Sequence, residues 1–289
     1  MSARNETGTR WLSVPIADFE EWQTGLLEES ARRLGAVLAP AGRVHRRHSA
    51  GSPVTFRGER AWLRVSPFLA HEMNRNAWLG TACAAGITGV RKPLLLRRTV
   101  WYAGGPAPVP VSAEVLTLVT DPVASRDRFL RTEPDLPGTW FGDLAASLAA
   151  LRAHPTHRRF PVHDTDEYGH LLAATYRGPV PGSLVPVFGT EHMDLSWDNI
   201  TVPRFHILDM EHWGVAVYGY AAAWLYLSAL AVPAVAERVR DALADVLGTP
   251  AGRYAQLVAA ALILRSLTRL PDPDGLATRL HRHTDTLLG

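Results

Sequence analysis

The chain has 289 residues, is 47% hydrophobic and 20% charged, and carries a formal net charge of +2. Its length and apolar content suffice for one large domain or two smaller lobes with an ample core, and the near-neutral balance gives none of the basic footprint of a nucleic-acid binder. Cys83 is the only cysteine, which excludes an intrachain disulfide framework and a cysteine-based zinc site, and Lys92 is the only lysine.

Met1–Arg10 is polar and no apolar core follows it, so no secretory leader is expected and a cytoplasmic location is. Ala17–Leu34 reads as a helix, with Phe19, Trp22, Leu26, Leu27 and Leu34 roughly on one face and Glu20, Glu21, Glu28 and Glu29 outside. Ala36–Pro40 reads as a connector. Turn signals at Ala50–Pro53 and Arg57–Glu59 bracket strands at Val54–Phe56 and Ala61–Val65. Pro67–Ala85 has a helical pattern, and Pro93–Tyr102 and Pro110–Val119 read as two more strands. Gly138–Ala153 is an amphipathic helix ending in His154-Pro155. His154, His157, His163 and His170 lack metal-ligand spacing and read as a polar loop. The acidic run Asp164, Asp166 and Glu167 reads as solvated loop, with a role in holding a cationic ligand as the alternative. Gly214–Val232 carries no charge over a membrane-spanning length, but it is rich in Ala and Tyr and has two glycines, so it is expected to be a buried central helix with no membrane role. Val232–Leu247, Ala251–Leu267 and Leu276–Leu288 are helical, punctuated by Pro233, Gly248-Thr249-Pro250 and Pro271–Gly275.

The chemistry concentrates in His192–Met210, HMDLSWDNITVPRFHILDM. His192-x-Asp194 is followed by Asn199 and then by an apolar run, Phe205–Leu208, that delivers Asp209. The runs Asn199–Val202 and Phe205–Leu208, split by Pro203-Arg204, predict a tight hairpin that returns Asp209 beside Asn199. Phosphoryl transfer needs one carboxylate to orient the attacking hydroxyl, and an amide oxygen and a second carboxylate to hold magnesium on the nucleotide phosphates. Asp194, Asn199 and Asp209 have those chemical types in that order. Glu211, two positions on, would face the same way on an extended segment and join the metal site or bind the acceptor.

HxDxxxxN before a strand ending in Asp-x-Glu resembles the aminoglycoside phosphotransferase and choline kinase branch of the protein-kinase-like fold. The resemblance covers about residues 36–270, with its specific residues at 192–211. It implies a two-lobed α+β architecture: residues 1–120 as a small antiparallel-sheet lobe with a packed helix, 121–289 as a mostly helical lobe. It implies ATP or GTP and Mg²⁺ as cofactors, His192 and Asp194 as the catalytic pair, and Asn199, Asp209 and Glu211 at the metal. Ser49, Gly51 and Ser52 would lie in the turn over the phosphates, Arg64 would replace the usual strand lysine and pair with Glu72, and backbone near Leu118, Val119 and Asp121 would meet adenine. Three features depart from the pattern: the poor Gly-rich turn at His48–Ser52, Arg64 itself, and Ala221 where an Asp usually braces the catalytic loop.

Three functions compete. The first is a kinase for a small-molecule hydroxyl on an antibiotic, amino alcohol or sugar. The second is a kinase for a peptide or natural-product precursor. The third is a binding module that kept the fold without the activity, for which the three departures speak. Neither nucleic acid nor membrane is an expected partner.

Overall fold

The computed structural model describes residues 16–69, 74–104, 108–269 and 272–289. The chain divides into two compact units, Met1–Met73 with Leu94–Leu118, and Asn74–Pro93 with Val119–Gly289.

The first unit is an antiparallel sheet under one helix. Helix α1 (Ile16–Leu34) buries Gln23, Leu26, Leu27, Ser30, Ala31 and Leu34, a stripe at helical spacing. The strands are β1 (Ala36–Leu38), β2 (Val44–His45), β3 (Ala50–Phe56), β4 (Glu59–Pro67), β5 (Leu95–Ala103) and β6 (Val109–Thr117). Their order is β1-β3-β4-β6-β5, with β2 also paired to β3. Ala36–Leu38, expected as a connector, is therefore a strand; it runs antiparallel to Val54–Phe56 and covers that edge of β3. Leu63, Val65, Val111, Ala113 and Val115 are fully buried and form the core with α1, and the Trp101 indole donates to Ser30 Oγ at 3.0 Å.

The second unit carries α2 (Arg75–Ala84), α3 (Gly138–Arg152), α4 (Thr165–Thr175), α5 (Tyr220–Leu227), α6 (Pro233–Ala242), α7 (Ala244–Leu247), α8 (Pro250–Leu267) and α9 (Leu276–Leu288), with a two-stranded ribbon of β7 (Phe188–His192) and β8 (Trp213–Val217). Helix α8 is buried from Tyr254 to Ile263 and packs on α5, which is buried along its whole length. That explains the charge-free run at 214–232: it is buried as expected, but it is strand β8 followed by helix α5, not one continuous helix. Among the described residues, no helix is long and apolar enough to cross a membrane. The acidic run is also helical where a loop was expected. Asp164 caps α4 by accepting from Asp166 N–H at 3.0 Å, and Asp166 and Glu167 occupy the first turn, where negative charge complements the helix dipole.

Of the four scattered histidines, His163 is buried rather than in a solvated loop. Its Nδ1 lies 2.7 Å from the Tyr168 hydroxyl and its ring meets Tyr220 edge-on. Burial, with His212 adding, depresses its pKa to about 3. A depressed histidine stabilises the fold only while it stays neutral; the unfolded chain takes up the proton first as pH falls below about 6.5. Stability is therefore present above 6.5 and lost between there and about 3. Urea unfolding between pH 7 and pH 5 should show a loss of stability that is about 2 kcal/mol smaller in His163→Gln than in wild type. Equal pH dependence in both proteins would remove His163 as its source.

Candidate active site

The second unit places the 192–211 segment on an aromatic base. Trp197 stacks on Trp140 at 6.0 Å between ring centroids, Phe205 meets Trp140 edge-on at 5.2 Å, and the Trp140 indole donates to Thr201 O at 2.8 Å. Above this base the expected hairpin forms as a short bridge, Ile200 opposite Ile207, and not as a regular ladder. Thr201 N–H donates to His206 O at 3.1 Å and Leu208 N–H to Asn199 O at 2.8 Å. Those bonds bring residue 209 back beside residue 199.

His192 closes the ring from the other side. It is fully buried; Nε2–H donates to the Asp209 carbonyl at 2.7 Å, and Nδ1 accepts from Asp194 N–H at 3.2 Å. Burial lowers its pKa, in keeping with the neutral tautomer those bonds require. Both ring nitrogens are thus engaged inside the protein, and His192 clasps the Asp194 turn to Asp209. Asn199 Nδ2 donates to the Asp194 carbonyl at 3.1 Å. The Asp194 carboxylate is partly exposed and pairs with Arg128. Burial pushes that carboxyl up, while the Arg128 guanidinium pulls the other way.

Asp209 Oδ1 accepts from Glu211 N–H at 3.0 Å, which ties the two acidic residues together at the end of the hairpin. The Glu211 backbone packs on α2. A Cβ on Gly80 would overlap the Glu211 carbonyl, and the Trp213 indole donates to Gly80 O at 3.0 Å. Only glycine permits that approach.

Among solved structures, the chain is similar to aminoglycoside phosphotransferase APH(4)-Ia, with a TM-score of 0.58 and 11% identity over 92% of this chain and 99% of that one. It is also similar to the amicoumacin kinase hAmiN (TM-score 0.55, 12% identity, 94% and 96% covered). A microcompartment-associated aminopropanol kinase gives 0.51, 15%, 94% and 95%. This is the fold of the aminoglycoside phosphotransferases. No family model matches the sequence, and no curated protein matches it. The α+β, protein-kinase-like architecture read from residues 192–211 is the architecture observed.

Within that phosphotransferase fold, the remaining candidates fare differently. Gly51 and Ser52 lie in strand β3 opposite Arg64 and Leu63, not in an open turn. Gly51 makes room for Trp62, whose ring a Cβ would overlap, and the buried Ser52 hydroxyl donates to Pro53 O at 3.1 Å. The expected Gly-rich phosphate turn is therefore corrected: these two residues serve sheet packing, and Ser49 alone belongs to the turn, its carbonyl accepting from Arg46 N–H at 2.8 Å. Glu72 lies outside the described residues. Arg64 is opposite Glu114 on β6, and Glu114 is in turn opposite Arg98 on β5. A buried glutamate flanked by two arginines across the sheet was missed, because strand pairing is not visible from one strand. Leu118 ends the first unit and Val119 begins the second. The Asp121 carboxylate is taken up by Arg204 at 2.8 and 3.0 Å, which holds it below the usual carboxylate range.

Ala221 has a compensation. Glu191, fully buried beside His192, accepts from Gly219 N–H at 2.8 Å and Ala221 N–H at 3.2 Å, and Arg152 Nε donates to it at 2.8 Å. The carboxylate that ties this segment to the start of α5 thus comes from β7 and not from α5. Burial pushes Glu191 up, opposed by Arg152.

Proposed function

We propose that the chain is an ATP- or GTP-dependent, magnesium-dependent phosphotransferase acting on the hydroxyl of a small molecule. The observation that supports this reading is the Leu208-to-Asn199 backbone bond, which with the His192 clasp brings the chain at Asp194, Asn199 and Asp209 together on a phosphotransferase fold. Among the described residues no three His, Cys, Asp or Glu side chains could hold a metal alone. Magnesium keeps several waters and takes one or two protein ligands plus phosphate oxygens. Asn199 spends its Nδ2 on the Asp194 carbonyl, leaving its amide oxygen as the donor atom, with the Asp209 carboxylate as the second.

The bound magnesium–nucleotide complex supplies an electrophilic γ-phosphorus and a diphosphate leaving group. Asp194 accepts the acceptor hydroxyl's proton as that oxygen bonds to the phosphorus and the β–γ bridging bond breaks. Positioning by the Trp140–Trp197 base and by Glu191 supplies the orientation. The names of the similar structures, kinases solved with AMP-PNP or ADP and with hygromycin B, amicoumacin or spectinomycin, support a small-molecule acceptor over a peptide. The Glu191 brace removes Ala221 as an argument for an inactive module.

Calorimetry tests the reading. ATP should bind in magnesium with an affinity that falls by about 10–100-fold or more in Asp209→Ala, in line with the loss of a direct metal ligand. Affinity for ATP that ignores both magnesium and Asp209→Ala would refute it.

A further inference from the structure

The segment 122–130 lies strapped over the candidate catalytic loop. Val202 N–H donates to Pro122 O at 3.0 Å, Ala124 N–H to Ile200 O at 2.8 Å, Ser125 N–H to Trp197 O at 3.0 Å and Leu130 N–H to Ser228 O at 3.0 Å. Phe129 and Leu130 are buried, so the strap is anchored at both ends and underneath. Between the anchors it delivers Arg128, which pairs with Asp194 through Nη2 and lies 5.3 Å above the Trp224 ring. The guanidinium thus reaches Asp194 from the strap, over Trp224 of α5, whereas Asn199 and Asp209 belong to the hairpin. Trp224 is buried, and its indole N–H has no hydrogen-bond partner among the described residues. Indole nitrogen can only donate. Beside the carboxylate that would meet the acceptor stands a fork of guanidinium N–H groups, and the ring beneath that guanidinium carries a buried, unanswered N–H.

We propose that this is an oxyanion subsite: the acceptor alcohol carries a carboxylate or phosphate close to its reactive hydroxyl, and Arg128 and Trp224 bind that group. This rests on the phosphotransferase reading for its account of Asp194. Without acceptor, Arg128 pairs with Asp194. An arriving oxyanion takes over the guanidinium, a bidentate match, and releases the Asp194 carboxylate for the hydroxyl proton. No bond forms or breaks in this exchange. A cationic acceptor would meet Arg128 head-on. The acids that might have held a cation, Asp164, Asp166 and Glu167, serve the N-terminus of α4.

Four pyranoses of one skeleton form the probe: glucuronate, glucose 6-phosphate, glucose and glucosamine. Binding is read by saturation-transfer NMR without nucleotide, and turnover by ADP release with MgATP. Both anionic sugars, or one of them, should bind about 10–100-fold tighter than glucose, with glucosamine weakest. Arg128→Gln should erase that order by raising KM for the anion, Arg128→Lys should restore part of it, and Trp224→Phe should weaken anion binding alone. Glucosamine binding as well as glucuronate, or an order unchanged in Arg128→Gln, overturns the proposal. If Arg128→Gln does not fold, the wild-type order and Trp224→Phe decide. Absent turnover with every sugar, together with absent MgATP binding, counts against the phosphotransferase reading, while the NMR order still judges the subsite.

Discussion

Asp194→Asn is expected to lower kcat by about 10²–10⁴-fold while MgATP affinity stays within a few fold. The substitution keeps shape and volume but removes the carboxylate proposed to take the acceptor proton. The carboxylate stands on the loop end closed by His192, with its backbone N–H and carbonyl held by His192 and Asn199. Those bonds do not involve the side chain, so the loop should keep its form and the Asn199–Asp209 pair should keep the nucleotide. An amide oxygen can still accept from Arg128, so the strap should stay seated. Single-turnover rates and calorimetry on the same preparation separate the two effects. Transfer within about tenfold of wild type would show that Asp194 is not the base.

Glu191→Ala is expected to cost about 3–5 kcal/mol of stability, the range for removing one partner of a buried ion pair. Arg152 is 13% exposed and Glu191 1%, so the arginine would be left charged and nearly dry. The N–H groups of Gly219 and Ala221 would lose their acceptor as well. Replacing both members, Glu191→Leu with Arg152→Met, should cost less than Glu191→Ala alone, because no uncompensated charge remains. Urea unfolding measures both. A single substitution that costs no more than the double one would mean the pair is not acting as a brace. Activity should fall as well, since Asp194 follows three positions later and hangs from the same strand.

The fold class was legible from a short stretch. Most helices and strands lie where periodicity puts them, including α1, α3, α8 and the strands β4 to β6. The misreadings have local causes. Ala36–Leu38 is too short to show a strand pattern, and it becomes one only because β3 offers an edge. The run 214–232 is apolar on all sides, so burial hid the change from strand to helix. Gly51 looked like a phosphate-turn glycine because the sequence does not reveal the Trp62 ring that lies over it.

The sequence by itself determined most secondary elements and the 192–211 spacing, because hairpin return, capping and helical periodicity act over a few residues. Only the tertiary structure decided which charges meet. Arg128 reaches Asp194 across 66 positions and Arg152 reaches Glu191 across 39. Any of the many arginines has the right chemistry for either acid; the choice falls to the one that chain packing carries into a low-dielectric neighbourhood, where an unmatched carboxylate would be costly.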